Sequence, residues 1–258
     1  MLPASGAILL RFKKELGQHV MVSRKWLRVI ADLLEISSMD SVIELGAGTG
    51  NLSEELLRRD PGKLTLVEKD PEMVTVLKEK FHSDSRVEVI QGDIRQFLPL
   101  RGYDKVASNP PYYLSSELVL GLMRSDFRRA VMTFQREFAE RLIAKPGTPE
   151  YGSLSVLCSL LLEVRKVAIV GRRAFFPPPK VESMIVVIEP RKGLPEESVD
   201  ELLKFTKLIF SRRKRLVWRS LKPLLGEEAR NVPYADVRPY HLSPEQVLEV
   251  IEWLKSKS

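Results

Sequence analysis

The chain has 258 residues, 44% of them hydrophobic and 29% charged, with a formal net charge of +7. That is enough for one large domain, or a medium domain with a small companion, and the apolar fraction is that of a globular protein with a real core. No stretch approaches the roughly 20 continuous apolar residues that span a bilayer. The N-terminal segment lacks the charged lead of a secretory signal, and the single cysteine, Cys158, makes no intrachain disulfide. A cytoplasmic protein is expected. The basic balance suits a polyanionic partner without requiring one.

In chain order, Ser41–Leu45 reads as a buried strand, followed by the turn Gly46-Ala47-Gly48-Thr49-Gly50 and a helix carrying Leu52, Leu56 and Leu57. Leu64–Val67 is a second strand, ending at Glu68. Pro71–Phe81 is a helix with proline in its first turn. Val87–Ile90 is a third strand, ending before Gly92-Asp93. Tyr103–Ala107 is a fourth, running into Ser108-Asn109. Arg129–Phe134 is a fifth, and Val164–Val170 and Ser183–Ile188 form a further pair. Strands alternating with helices predict a doubly wound, mostly parallel α/β sheet. After Pro190 only helical periodicity remains, over Val199–Leu224 and Pro244–Lys255, the second with Ser243 as its N-cap. Residues 1–190 are therefore expected to form the α/β domain and residues 191–258 a small all-helical one, with Gly193-Leu194-Pro195 as the linker.

Ligands of open α/β sheets sit outside the carboxyl ends of the strands, and three sharp features fall there. The glycine turn has the spacing G-x-G-x-G, and Asn51 stands where a dinucleotide fingerprint has its third glycine, which disfavours NAD and FAD. Gly46 and Gly48 let backbone approach a ligand closely. Glu68, at the next strand end, suits a pair of ribose hydroxyls. Asp93, at the third, suits an adenine amino group, with Ile94 packing on the ring. Each feature alone is an ordinary turn or a solvated carboxylate. Together they fit an adenosine-containing ligand, and without a phosphate loop the best candidate is S-adenosylmethionine, with S-adenosylhomocysteine as product.

Asn109-Pro110-Pro111-Tyr112 follows the fourth strand at the same sheet edge. An exocyclic adenine amine is a poor nucleophile because its lone pair is delocalised into the ring. Asn109 Oδ1 and the Pro110 carbonyl can each accept one amine hydrogen and draw the nitrogen toward tetrahedral geometry. Tyr112 offers a face on which an extruded base can stack. Positioning carries such a reaction. The three histidines, His19, His82 and His241, form no metal-ligand pattern, so no metal is expected.

In this order the motifs resemble the ribosomal RNA adenine dimethyltransferase family, KsgA type, over nearly the whole chain. Lys13–His19 resembles its N-terminal cofactor motif and Gln135–Arg141 its next stretch. Phe175–Ser183 resembles the signature F-x-P-x-P-K-V-[DE]-S. His19 and the Pro-Pro tetrapeptide look like the archaeal or eukaryotic branch, whereas Val20-Met21 departs from the family's usual Phe-Leu. The resemblance implies a seven-stranded Rossmann-like methyltransferase sheet. It also implies dimethylation of two adjacent adenosines in a hairpin loop near the 3′ end of small-subunit ribosomal RNA, within the small ribosomal subunit, by an enzyme expected to be monomeric. It further places His19 and Met21 in the cofactor pocket beside Gly46, Glu68, Asp93 and Asn109, and Phe175 as a second aromatic face against the target base. The rival readings are the same chemistry on large-subunit RNA or DNA adenine, and a non-catalytic ribosome-assembly factor on this fold.

Between Lys204 and Lys222 stand eight basic residues and no acidic one. On one continuous helix Arg212, Arg215, Arg219 and Lys222 would share a face, with Leu202, Phe205, Ile209 and Leu216 on an apolar stripe beside it. This face is expected to contact RNA phosphates, extended by Arg11, Lys13, Lys14, Arg172 and Arg173.

Overall fold

A computed structural model describes residues 19–193 and 197–256. The Lys13–Gln18 motif, Arg11 and most of the expected linker lie outside the described residues. The elements in chain order are β1 (Val20–Met21), α1 (Arg24–Leu33), β2 (Ser41–Leu45), α2 (Asn51–Leu57), β3 (Lys63–Glu68), α3 (Pro71–Phe81), β4 (Val87–Gln91), β5 (Lys105–Ser108), α4 (Ser115–Leu122), β6 (Arg129–Gln135), α5 (Arg136–Leu142), α6 (Ser153–Leu161), β7 (Leu162–Val170), β8 (Phe175–Phe176), β9 (Ser183–Pro190), α7 (Glu197–Phe210), α8 (Val217–Leu225) and α9 (Pro244–Lys255).

Seven of these strands form one sheet in the order β4-β3-β2-β5-β6-β9-β7. The first five in that order are parallel, and β9 inserts antiparallel between β6 and β7. The period-2 pattern explains why both faces are covered. On β9, Met184, Val186 and Ile188 enter one apolar layer while Ile185 and Val187 enter the other. On β6, Met132 and Phe134 face the first layer and Val131 the second. Strands buried on both faces read as unbroken apolar runs. The chain leaves β2 toward β3 and β4 on one side and returns through β5 to the other, so the topological switch point lies between β2 and β5.

Two local devices shape that edge. Ser108 Oγ donates to the Leu45 carbonyl at 2.6 Å, which ties the carboxyl ends of β5 and β2 together. β1 pairs antiparallel with β8, Val20 opposite Phe176 and Met21 opposite Phe175. This short ribbon places the proline-rich segment beside the glycine turn.

The helical C-terminal part differs from its expected form. The periodicity predicts one helix over Val199–Leu224, but α7 ends at Phe210 and α8 begins at Val217. Leu216 is extended at φ −62°, ψ 150°. The Val217 and Trp218 amides donate to the carbonyls of Val237 and Ala235 at 2.8 and 3.1 Å. On a continuous helix Arg212 and Arg215, three apart, would be like-charged neighbours, while the turn lets Val217 bury completely. Arg212 and Arg215 therefore sit in a turn rather than on a helical face with Arg219 and Lys222, and Leu216 leaves the apolar stripe. Around this turn α7 packs on α6, α8 and α9, and Val199, Leu202, Val217, Leu221 and Val250 join the same apolar layer as β6.

Candidate active site

The carboxyl edge of the sheet opens into a cleft walled by the glycine turn, Glu68, Asp93 and Asn109. Every cofactor residue expected from the sequence, from His19 through Asn109, lines it. The glycine turn adopts positive φ at Gly46, Gly48 and Gly50, at +81°, +54° and +76°, a backbone that residues with a Cβ rarely adopt. Gly46 and Ala47 donate to the Val67 carbonyl at 2.8 and 3.1 Å, which folds the turn over the end of β3. A Cβ on Gly46 would meet Ile94 Cδ1 at 3.5 Å, so the cleft narrows there between glycine backbone and an apolar side chain.

Glu68 is buried at the end of β3. Its Oε2 accepts from the Gly48 amide at 2.8 Å and its Oε1 from the Lys69 and Asp70 amides, both at 2.8 Å. Three backbone donors thus fix this carboxylate facing the turn. Asp93 caps the single 3-10 turn Ile94–Phe97, accepting from the Arg95 amide at 3.0 Å. The Arg95 guanidinium and the Lys69 ammonium hold its carboxyl well below the usual carboxylate range. Beneath the turn, Glu44 is 2% exposed and also lines the cleft. Burial pushes its carboxyl up to about 8, while a hydrogen bond from Ser53 Oγ at 2.5 Å works in the other direction.

Asn109 closes the cleft from the β5 side. Its Nδ2 donates to the His19 carbonyl at 3.1 Å. Because a carbonyl can only accept, this contact fixes the amide orientation and commits the nitrogen, leaving Oδ1 as the side chain's acceptor. His19 Nδ1 lies 2.8 Å from the Pro177 carbonyl, and Asn51 Nδ2 donates to the Met21 carbonyl at 3.1 Å. The N-terminal strand is thereby stitched to α2, the Asn109–Tyr112 segment and the proline-rich segment together.

The aromatic residues arrange themselves differently from expectation. The Tyr112 hydroxyl lies 2.6 Å from Ser183 Oγ and its ring stacks with His19, centroids 5.9 Å apart. Pro111 and Tyr113 line the cleft, whereas Pro110 and Tyr112 are absent from its walls. The 3-10 turn over Tyr112–Leu114 swings Tyr113 outward, 58% exposed. Phe175, expected to offer a free face, is only 2% exposed because β1–β8 pairing packs it inward, and Phe176 is the exposed partner at 55%. Sequence reasoning passed over Tyr113, Phe176 and Glu44. Strand alternation at β8 was the available signal for Phe176.

Of the basic cluster, Arg213 turns inward to donate to the Tyr151 carbonyl at 2.8 Å, and Lys222 pairs with Glu227 at 2.6 Å. Arg219 lies 5.2 Å from the Trp218 ring centroid. Arg212, Lys214, Arg215 and Arg219 remain exposed. Among the described residues no helix is long and apolar enough to cross a membrane, and no group of three His, Cys, Asp or Glu side chains is placed to hold a metal.

The chain is similar to known proteins along nearly its whole length. The chain is 33% identical to a probable ribosomal RNA small subunit methyltransferase A of Thermococcus sibiricus, over 96% of this chain and 94% of that one. The crystal structure of a dimethyladenosine transferase from Plasmodium falciparum superposes with a TM-score of 0.81 at 28% identity, covering 93% of this chain and 98% of that one. That of the 23S rRNA methyltransferase ErmE gives 0.69 at 27%, covering 91% and 99%. Residues 9–256 match the profile of ribosomal RNA adenine dimethylase. With the glycine turn, the acidic strand ends and the Asn-Pro-Pro-Tyr segment gathered at one switch point, the chain belongs to the ribosomal RNA adenine dimethylase family.

Proposed function

We propose that this protein dimethylates N6 of two adjacent adenosines in a hairpin loop near the 3′ end of small-subunit ribosomal RNA, with S-adenosylmethionine as methyl donor. The observation that carries the reading is the orientation of Asn109: its nitrogen is spent on the His19 carbonyl, so a carbonyl oxygen is left for an amine donor. The small-subunit assignment is supported by the names of the archaeal relatives, and large-subunit RNA is the alternative that the likeness to ErmE keeps in view.

The cleft fits the donor on its own chemistry. Positive-φ glycines leave room that a Cβ would fill, Glu68 presents a fixed carboxylate whose Oε2 keeps an accepting direction for the ribose hydroxyls, and Asp93 presents a carboxylate for an adenine amine beside the Ile94 side chain. His19, Met21 and Gly48 complete the walls. When bound, S-adenosylmethionine supplies a methyl group already activated on a sulfonium. The chain supplies geometry. Asn109 Oδ1 accepts one hydrogen of the target amine from the cleft wall, and the Pro110 carbonyl, which lies behind that wall in the free protein, accepts the other once the base enters, directing the lone pair out of the adenine ring. Proline's fixed φ keeps the second acceptor in place. Tyr113, exposed on the cleft wall, is the face for an extruded base, with Tyr112 and Phe175 supporting the tetrapeptide and β8 from behind. Arg212, Arg215 and Arg219 contact phosphate, Lys222 does so by leaving Glu227, and residues 191–258 act as the RNA-contacting unit of a cytoplasmic, monomeric enzyme.

Asn109→Ala tests the assignment. Methyl transfer to unmethylated small subunits is expected to fall by at least about 100-fold, the scale of lost transition-state hydrogen bonding, with S-adenosylhomocysteine affinity within a few-fold of the original. Undiminished transfer removes Asn109 from the chemistry.

A further inference from the structure

Asp93 carries more partners than its capping role needs. Oδ1 accepts from the Arg95 amide at 3.0 Å and from Arg95 Nε at 2.9 Å, and Oδ2 accepts from Arg95 Nη2 at 2.7 Å and Lys69 Nζ at 3.0 Å. A carboxylate offers about four lone-pair directions, and four donors occupy them. An adenine amine that bonds to Asp93 must displace one. The Arg95 amide is fixed by the 3-10 turn, and the guanidinium holds two points at once. Lys69 holds one point, and its side chain is 52% exposed while that of Asp93 is 15% exposed, so water is ready to receive the ammonium when it lets go. Lys69 also lines the cleft, immediately after the ribose carboxylate Glu68.

We propose that Lys69 is a latch on the adenine-recognition carboxylate: it occupies Asp93 Oδ2 in the free protein and is exchanged for the amino group of the adenosine ligand. The proposal rests on the reading of Asp93 as the adenine acceptor. Two consequences distinguish a latch from a residue that merely orients Asp93. Removing the ammonium strengthens ligand binding instead of weakening it. Salt, which screens an exposed ion pair, helps the ligand in the wild-type protein and not in the variant.

Calorimetric titration with S-adenosylhomocysteine at about 50 mM and about 500 mM potassium chloride tests both, using Lys69→Met, which keeps the apolar stem, and Lys69→Gln as a second neutral form. An exposed pair contributes up to about 1 kcal/mol, so the low-salt dissociation constant is expected to fall about two- to fivefold in both variants. Wild-type affinity is expected to rise with salt while theirs stays flat. Equal or weaker binding by the variants at low salt, or an unchanged salt response, overturns the latch. Should the wild-type protein fail to bind S-adenosylhomocysteine at all, the cofactor reading itself fails. Circular dichroism of each variant separates loss of fold from loss of binding, and Asp93→Asn, expected to bind more weakly than wild type, anchors the other end of the scale.

Discussion

Glu44 gives the sharpest physical prediction. Its carboxyl is buried beneath the glycine turn and pushed from 4.5 to about 8, so at neutral pH it is held largely as the neutral acid. The folded protein then binds a proton that the unfolded chain has already lost above about pH 5. Where the folded state holds more protons, stability falls as pH rises. This contribution is fully present below about 4.5 and is lost progressively as pH climbs through about 8. At about 1.4 kcal/mol for each tenfold difference in proton affinity, the ceiling is roughly 5 kcal/mol. The Ser53 hydrogen bond is already contained in the value of about 8; local water entry reduces the ceiling, and a fall of roughly 2–3 kcal/mol between about pH 5 and about pH 9 is the working expectation. Glu44→Gln keeps the shape and an acceptor for Ser53 but cannot titrate. Urea unfolding of both proteins across that range isolates the residue by subtraction: the wild-type midpoint should drop with pH relative to the variant. Parallel curves for the two proteins would refute the argument.

Three further outcomes follow from the packing and the surface. Tyr151 is completely buried and its hydroxyl donates to the Leu242 carbonyl at 2.8 Å, so Tyr151→Phe should cost about 1–3 kcal/mol in denaturant unfolding by stranding a buried acceptor. Phe175→Ala should lose about 3–5 kcal/mol of stability, and Phe176→Ala, at a position 55% exposed, should lose clearly less; the reverse order would show that β8 faces the other way. Replacing Arg212 and Arg215 together by Ala should weaken RNA binding and shrink the slope of log affinity against log salt by about 1–2, measured by filter binding, while methyl-donor affinity stays constant.

Much of this site was legible because it sits where parallel strands end. The central strands are mostly apolar, and the residues at their carboxyl ends, Gly46, Glu68, Asp93 and Asn109, announce themselves by being polar or glycine at a strand terminus. Helical periodicity misled at Arg212–Leu216, because arginine and lysine are good helix formers and the partners that break the helix, the carbonyls of Ala235 and Val237, are about twenty residues away in sequence. Tyr112 and Tyr113 were indistinguishable as letters, and only the 3-10 turn after Pro111 decides which ring faces outward. Glu44 lies inside an apolar strand and reads as its polar exception; its burial depends on α2, which brings Ser53 over it. Phe175 and Phe176 alternate across β8, and pairing with β1 chooses the buried one.

The central claim is that an adenine amine in small-subunit RNA is held by Asn109 and Pro110 beside a methyl donor seated on Glu68 and Asp93. The most direct measurement is incubation of the protein with labelled S-adenosylmethionine and, in parallel, unmethylated small subunits, large subunits and DNA, followed by mapping of the modified base. The account predicts label on two adjacent adenosines of the small-subunit RNA as N6,N6-dimethyladenosine, absent with Asn109→Ala. Label confined to large-subunit RNA or DNA, or equal labelling by the variant, would contradict it.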